Sequence, residues 1–300
     1  MNNKKVSLVL ASGGARGLAH IGVIDELVNR KFTIHSIAGS SMGAIVGGMY
    51  AAGTLEDYKK WVLKLKKFDV LSLMDFTLGA NGIMKGEKIF NEMKREGFIP
   101  DIKIENLEVP LAIVASDIVN NKEIVFRKGS LYNALRASIS IPNVFTPVEV
   151  DDGLLVDGGV LNPLPLNLVD RDNGDLLVAV DINALIPYSS GREKDKTEKE
   201  GDNDNKSTFE QLKARWFELF EGDEKKKLSK ANKLGYMDMF TRTYQVMQNK
   251  ITQCSLENIP PDVLVKISKD ACGTFEFYRA KEMIELGRET CAKALDKASL

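Results

Sequence analysis

Histidine is nearly absent from this 300-residue chain, which holds two, His20 and His35. Both precede Ser41, so a triad in the chain order Ser, then Asp or Glu, then His cannot be assembled around that serine. Cysteine is scarce as well. Cys254, Cys272 and Cys291 are odd in number, widely spaced and without a C-x-x-C pair, which suits neither a disulfide framework nor a zinc site. No apolar run approaches the ~18 residues of a membrane-spanning helix. The run Val6 to Ala11 behind Asn2-Asn3-Lys4-Lys5 imitates a signal peptide. It is too short for one and leads straight into a glycine-rich loop, so a cytoplasmic protein is expected. A net charge of -1 gives no general affinity for polyanions, and aromatic residues are not interleaved with basic ones. No nucleic-acid partner is expected.

What is present is a globular composition, 44% apolar and 28% charged, in a chain long enough for a full α/β core. Strand-like and helix-like runs alternate, which predicts βαβ units and a mostly parallel sheet. Strands are predicted at Val6 to Ala11, Ile34 to Ala38, Leu111 to Ala115 and Leu176 to Val180. Hairpin strands are predicted at Glu123 to Phe126 and around Val148 and Leu154, the latter pair turning at Asp151-Asp152-Gly153. Helices are predicted at Leu18 to Arg30, Met42 to Ala52, Leu55 to Leu65, Lys85 to Arg95 and Leu131 to Ser138.

Gly39-Ser40-Ser41-Met42-Gly43 lies between one of these strands and one of these helices. A G-x-S-x-G in that setting is a nucleophile elbow, a tight turn that presents the serine hydroxyl. Gly39 and Gly43 are demanded by the crowding of so sharp a turn. Upstream, Ser12-Gly13-Gly14-Ala15-Arg16-Gly17 forms a second strand-to-helix turn. Its backbone N–H groups and the helix N-terminus beside them suit an anion, either a phosphate or the oxyanion of acyl transfer. The phosphate readings fail. No Lys-Ser or Lys-Thr follows these glycines, the G-x-G-x-x-G spacing is wrong, and the next strand ends in Gly39 rather than a carboxylate.

A serine nucleophile without histidine needs a carboxylate or a lysine as its base. Asp157, in Asp157-Gly158-Gly159 after the apolar run Leu154 to Val156, is the leading candidate, although Asp-Gly is also a common turn. Asp117 and Asp181 each end an apolar strand and are rivals. His35 falls within a strand and His20 in the first turns of a helix, where a buried, hydrogen-bonded histidine is the ordinary outcome. For His20 the functional alternative is support of the glycine loop. Arg16 either influences the site or braces its loop.

The glycine loop, the elbow and the Asp157-Gly158-Gly159 turn, in that order, resemble the patatin-like phospholipases. Smaller features agree: Gly17 to Val23, Arg136-Ala137-Ser138, Ile141-Pro142, Phe145 with Pro147, and Asn162-Pro163-Leu164-Pro165. The likeness runs from Val6 to Asp181 and returns weakly near Pro261 to Val265 and Phe277 to Ala280. One departure is Ser12, which stands where many relatives have a first glycine. The resemblance implies a three-layer α/β/α fold with a mostly parallel central sheet, and a Ser-Asp dyad with Ser41 as nucleophile and Asp157 as base. It implies an oxyanion hole from the N–H groups of Gly13, Gly14, Ala15 and Arg16, with Met42 assisting. It also implies hydrolysis of lipid esters through an acyl-enzyme, without metal or cofactor. Acyl transfer to an alcohol at the same site, and a low-turnover lipid-binding or acyl-binding regulator, are the alternatives.

The expected organisation is a core over 6–182, an insertion over 183–254 and a strand and helix over 255–300 that return to the core. Gly191 to Lys206 is mostly charge of both signs and predicts a flexible loop. After it, Phe209, Leu212, Trp216, Phe217, Leu219 and Phe220 recur at helical spacing behind Ser207. They make either a core-facing helix or a lid touching the inner membrane surface where lipid enters. In Tyr236 to Ile251, Met237, Met239, Phe240, Tyr244, Val246 and Met247 are expected to pack in the core. Phe68 to Met84 reads as a lid-like stretch with a turn at Leu78 to Gly82.

Overall fold

Strand β1 (Lys5–Leu10) is buried at every position after Lys5. A run buried at every position, apolar apart from Ser7, belongs to a strand covered on both faces, not to one whose alternate residues meet water. The computed structural model describes residues 4–75, 84–188 and 236–300. Within them, β1 pairs in parallel with β2 (Thr33–Ser40) on one side and β7 (Leu176–Ala184) on the other. β2 continues in parallel to β3 (Leu111–Asp117), and β7 to β8 (Val263–Ser268). β4 (Lys122–Phe126), β5 (Val148–Val150) and β6 (Gly153–Asp157) complete the sheet, in the order β5-β6-β3-β2-β1-β7-β8 with β4 also on β3. The fold is α/β around a mostly parallel sheet, as the alternation of runs implies.

The way β3 is shared decides where the site lies. β2 covers residues 111–114 of β3, while β4 runs antiparallel along 113–117 on the opposite edge. β6 pairs antiparallel with 115–117 and therefore takes the edge that β2 vacates when it ends at Ser40. That handover sets Asp157, opposite Ala115, next to Ser40, opposite Val114. Two residues more than a hundred positions apart are thus brought to one spot by ladder register.

The helices are α1 (Ala19–Asn29), α2 (Met42–Ala51), α3 (Leu55–Val62), α4 (Lys67–Leu73), α5 (Glu87–Arg95), α6 (Leu131–Ser138), α7 (Tyr236–Asn258) and α8 (Ala280–Lys297). The glycine loop adds a 3-10 turn, Gly14–Leu18, before α1. α1 and α8 approach through two glycines. A Cβ on Gly22 would lie 1.8 Å from the Ile284 carbonyl oxygen, and one on Gly287 would lie 2.0 Å from that of Ala19.

The predicted strands and helices are recovered with ends shifted by a few residues. α4 was not predicted as a helix, and it occupies the first part of the lid-like stretch. The Leu78 to Gly82 turn, the charged loop 191–206, the aromatic face over 207–220 and the side chain of Met237 lie outside the described residues. The expectation that Met239, Val246 and Met247 pack in the core is corrected: they are 55%, 67% and 55% exposed. α7 turns its Tyr244–Gln248 edge inward, and Val246, two positions from Tyr244, falls on the opposite side of the helix.

Candidate active site

Ser41 separates β2 from α2 with φ 53 and ψ -122, a left-handed backbone that a residue with a Cβ adopts only when its surroundings enforce it. The enforcement is visible on both sides. A Cβ on Gly43 would stand 2.2 Å from the Leu10 carbonyl oxygen, and one on Gly39 would stand 2.6 Å from that of Gly43. The elbow therefore sits directly on β1. The Ser41 N–H donates to Ser138 Oγ at the end of α6 at 2.9 Å, and its carbonyl accepts the Ile45 N–H that opens α2. Ser41 does not cap α2 with its own side chain. Its hydroxyl donates instead to Asp157 Oδ2 at 2.5 Å.

Asp157 is 2% exposed at the end of β6. Its backbone N–H donates to the Ser140 carbonyl, and its Oδ1 accepts the Gly159 N–H at 2.7 Å, so one oxygen is anchored while the other faces the serine. Burial pushes this carboxyl up to about 7, against the hydrogen bonds from Ser41 and Gly159 that favour its charged form. A carboxyl near 7 is a far better acceptor for a hydroxyl proton than one near ~3.9.

The glycine loop faces the same place. Gly14 and Ser41 line one cavity, and a Cβ on Gly17 would meet the Met42 side chain at 2.3 Å. Thr274 pins the loop from the C-terminal part of the chain: its carbonyl accepts the Ala15 N–H at 2.9 Å. Ala15 was expected among the oxyanion donors, and this bond corrects that expectation. Arg16 is buried, with Nη1 donating to the Cys272 carbonyl at 2.7 Å and Nη2 to Asn183 Oδ1 at 2.9 Å, so its guanidinium braces the loop. Met42 heads α2, where a first-turn N–H has no partner within the helix.

The other candidates fall elsewhere. The Asp117 carboxylate accepts from Asn120 and from the N–H groups of Val119 and Leu154, and these bonds, the Asn120 side chain's first, hold it down at about 2 despite some desolvation. It braces the turns beside the β3–β6 edge. Asp181 accepts the Asn183 N–H, and burial raises its carboxyl. His20 is fully buried and bonds the Ala11 carbonyl at 2.9 Å, just before the glycine loop, and burial lowers it to about 4. It is positioned to support that loop. His35, near the start of β2, lies roughly 20 Å of strand from Ser41. One of its nitrogens, Nε2, meets both Ser7 Oγ (3.0 Å) and Asp175 Oδ2 (2.9 Å). A relay needs serine and carboxylate on different nitrogens, so this Ser/His/Asp cluster is not a triad.

Ser41 opens onto a cavity of about 120 Å³ walled by apolar side chains that include Ile45, Tyr58, Trp61, Met93, Phe145 and Phe275. An apolar cavity of about 150 Å³ holds a benzene molecule, so this one has room for a hydrocarbon segment. Val70, Leu73 and Met74 of the lid-like stretch also line it. Sequence reasoning missed two contributors. Ser138 stood within a recognised motif but without a role, and Thr274 acts through its backbone.

A family profile described as patatin-like phospholipase matches residues 8–170. An uncharacterized NTE family protein of Mycobacterium tuberculosis is 33% identical over 98% of this chain and 92% of its own length. A lysophospholipase of Meyerozyma guilliermondii is 30% identical over 62% of this chain, a match that spans 13% of that much longer protein. Among solved structures, VipD from Legionella pneumophila superposes with a TM-score of 0.50 at 12% identity, covering 99% of this chain and 67% of VipD, which is a likeness of fold.

Proposed function

The chain belongs to the patatin-like phospholipase family, and from that premise we propose that it is a lipid acyl hydrolase working through a Ser41–Asp157 dyad. Ser41 Oγ attacks the ester carbonyl as its proton passes to Asp157 Oδ2. The N–H groups of Gly13, Gly14 and Arg16, with Met42 assisting, receive the charge that develops on the carbonyl oxygen, each such donor being worth about 2.7–4 kcal/mol in the transition state. Collapse breaks the acyl C–O bond, and the proton held by Asp157 leaves with the alcohol. Asp157 then takes a proton from water, whose oxygen attacks the acyl-enzyme, and the fatty acid departs as Ser41 recovers its hydrogen.

The observation that carries this reading is the 2.5 Å bond from Ser41 to a carboxylate raised to about 7, on the wall of an apolar cavity. The cavity suits an acyl chain, so lysophospholipids, phospholipids and acylglycerols are the ester classes to test, and the similarity to a lysophospholipase favours the first.

The test is reaction of the purified protein with a fluorophosphonate, read by intact mass, beside hydrolysis of short-chain and long-chain p-nitrophenyl esters. One adduct is expected on the wild type and none on Ser41→Ala, with hydrolysis reduced by about 10⁴-fold or more in Ser41→Ala and Asp157→Asn. A folded wild type with neither adduct nor turnover would overturn the proposal.

A further inference from the structure

Gly159 is fastened at both ends. Its N–H holds Asp157 Oδ1, and its carbonyl accepts from Gln248 Nε2 at 3.0 Å. The same nitrogen donates to Ser12 Oγ at 3.3 Å. A carbonyl can only accept, so the amide is fixed with its NH2 end towards Gly159, and its two hydrogens serve the two partners. Three elements meet here with no room to spare. A Cβ on Gly159 would lie 2.5 Å from Gln248 Nε2 and 2.6 Å from Ser12 Oγ.

Ser12 is the first residue of the glycine loop and is itself anchored. Its N–H donates to the Pro163 carbonyl, and its own carbonyl accepts from Asn183 Nδ2. One turn before Gln248, on the same edge of α7, the Tyr244 hydroxyl is buried and, among the described residues, without a partner.

We propose that Gln248 is a positioning residue of the acyl-transfer reaction, whose amide ties the oxyanion loop, through Ser12, to the turn that orients the base, through Gly159. The reaction requires the donors on one loop and the proton acceptor on the other to hold their relative places while charge moves between them. The sheet relates the two only indirectly, through β2 and β3, because the loop follows β1 and the turn follows β6, two strands that do not pair, and the Ser12 N–H bond to the Pro163 carbonyl holds backbone beyond the turn rather than Gly159 itself. Gln248 spans the gap. The Ser12 hydroxyl supplies an acceptor that a glycine at this position could not.

The inference rests on the Ser41–Asp157 reading, so the experiment begins with wild type that labels at Ser41 and hydrolyses an ester. Wild type that does neither defeats that reading and not this one. Gln248→Met keeps the bulk and removes both donors. Its kcat should fall roughly tenfold to a hundredfold, the cost of loosening a reacting group by less than an ångström, with KM nearly unchanged. The acid limb of its kcat/KM profile should move to higher pH, because a slackened Gly159 N–H no longer favours the charged carboxylate. A merely structural amide would not move that limb. The groups that bear on Asp157 among the described residues are the Ser41 hydroxyl, the Gly159 N–H and the Tyr244 phenol from α7.

Ser12→Ala removes one leg of the bridge and leaves α7 intact, so it decides the matter should Gln248→Met fail to fold. It should lose several-fold in kcat, and the double variant should lose no more than Gln248→Met alone. Wild-type kcat and an unmoved acid limb in folded Gln248→Met would overturn the proposal. Wild-type kinetics in Ser12→Ala, or strictly additive losses, would overturn it equally.

Discussion

The Ser41 hydroxyl donates to Asp157 Oδ2 at 2.5 Å although 116 positions of chain separate the two residues. The contact arises because β6 takes over the edge of β3 where β2 ends, and the elbow then swings Ser41 towards it. Its buried setting has consequences in pH, in packing and in substrate choice.

The proposed base must be ionised to act, and burial places the Asp157 carboxyl at about 7, so kcat/KM should rise about tenfold per pH unit below that value and level off above it. A pH–rate profile from 5 to 9 checks this. A flat profile through 7 would remove Asp157 as the base.

The same shift acts on stability with the opposite sense. The carboxyl stands at about 7 when folded and at ~3.9 when unfolded, so its contribution is fully present below pH 4 and is lost as pH rises through 7. Asp157→Asn should therefore melt close to wild type at pH 4 and about 5 °C above it at pH 8. Melting curves at the two pH values show whether the gap opens.

Gly22→Ala and Gly287→Ala should each cost about 2–3 kcal/mol, since the added methyl would stand within 2.0 Å of a carbonyl oxygen on the facing helix. Gly97→Ala, with open space and φ +78, should lose about 1 kcal/mol from backbone strain alone. Denaturant titration of the three variants ranks them. Equal losses would mean that the α1–α8 approach relaxes freely.

Met93 is buried in the cavity wall. Met93→Trp should lower turnover of long-chain esters at least tenfold relative to acetate or butyrate esters, because each excluded methylene forfeits roughly 1 kcal/mol of binding. An unchanged chain-length profile would place the acyl chain elsewhere.

Tyr244→Phe removes a buried hydroxyl that has no partner among the described residues, and burial raises its phenol well above the ordinary value. Deleting such a group should leave Tm unchanged or raise it slightly. A marked fall in Tm would show that the hydroxyl has a partner after all.

The elements, and the residue types from which a site could be built, are legible in adjacent residues of the chain. Apolar runs mark β1, β2, β3 and β7, and glycines at 39 and 43 mark the elbow, because strand burial and steric room are properties of a few adjacent residues. The scarcity of histidine, and its place before Ser41, left a carboxylate or a lysine as the base. Among Asp117, Asp157 and Asp181, the sequence ranked Asp157 first but left the other two as rivals on local features alone. Asp117 accepts from the Val119 and Asn120 N–H groups, the Asn120 side chain and, from β6, the Leu154 N–H, whereas Asp157 faces Ser41, because β6 sets Asp157 opposite Ala115, where β2 ends, and Asp117 lies two residues further along β3. Tertiary structure alone also assigned the Ala15 N–H to Thr274, set Ser138 behind the elbow and brought Gln248 between two loops. Each of those contacts joins residues distant in sequence through one backbone or side-chain atom. Periodicity and motif spacing report on neighbours along the chain, and the partner of a single hydrogen bond across the fold leaves no trace in either.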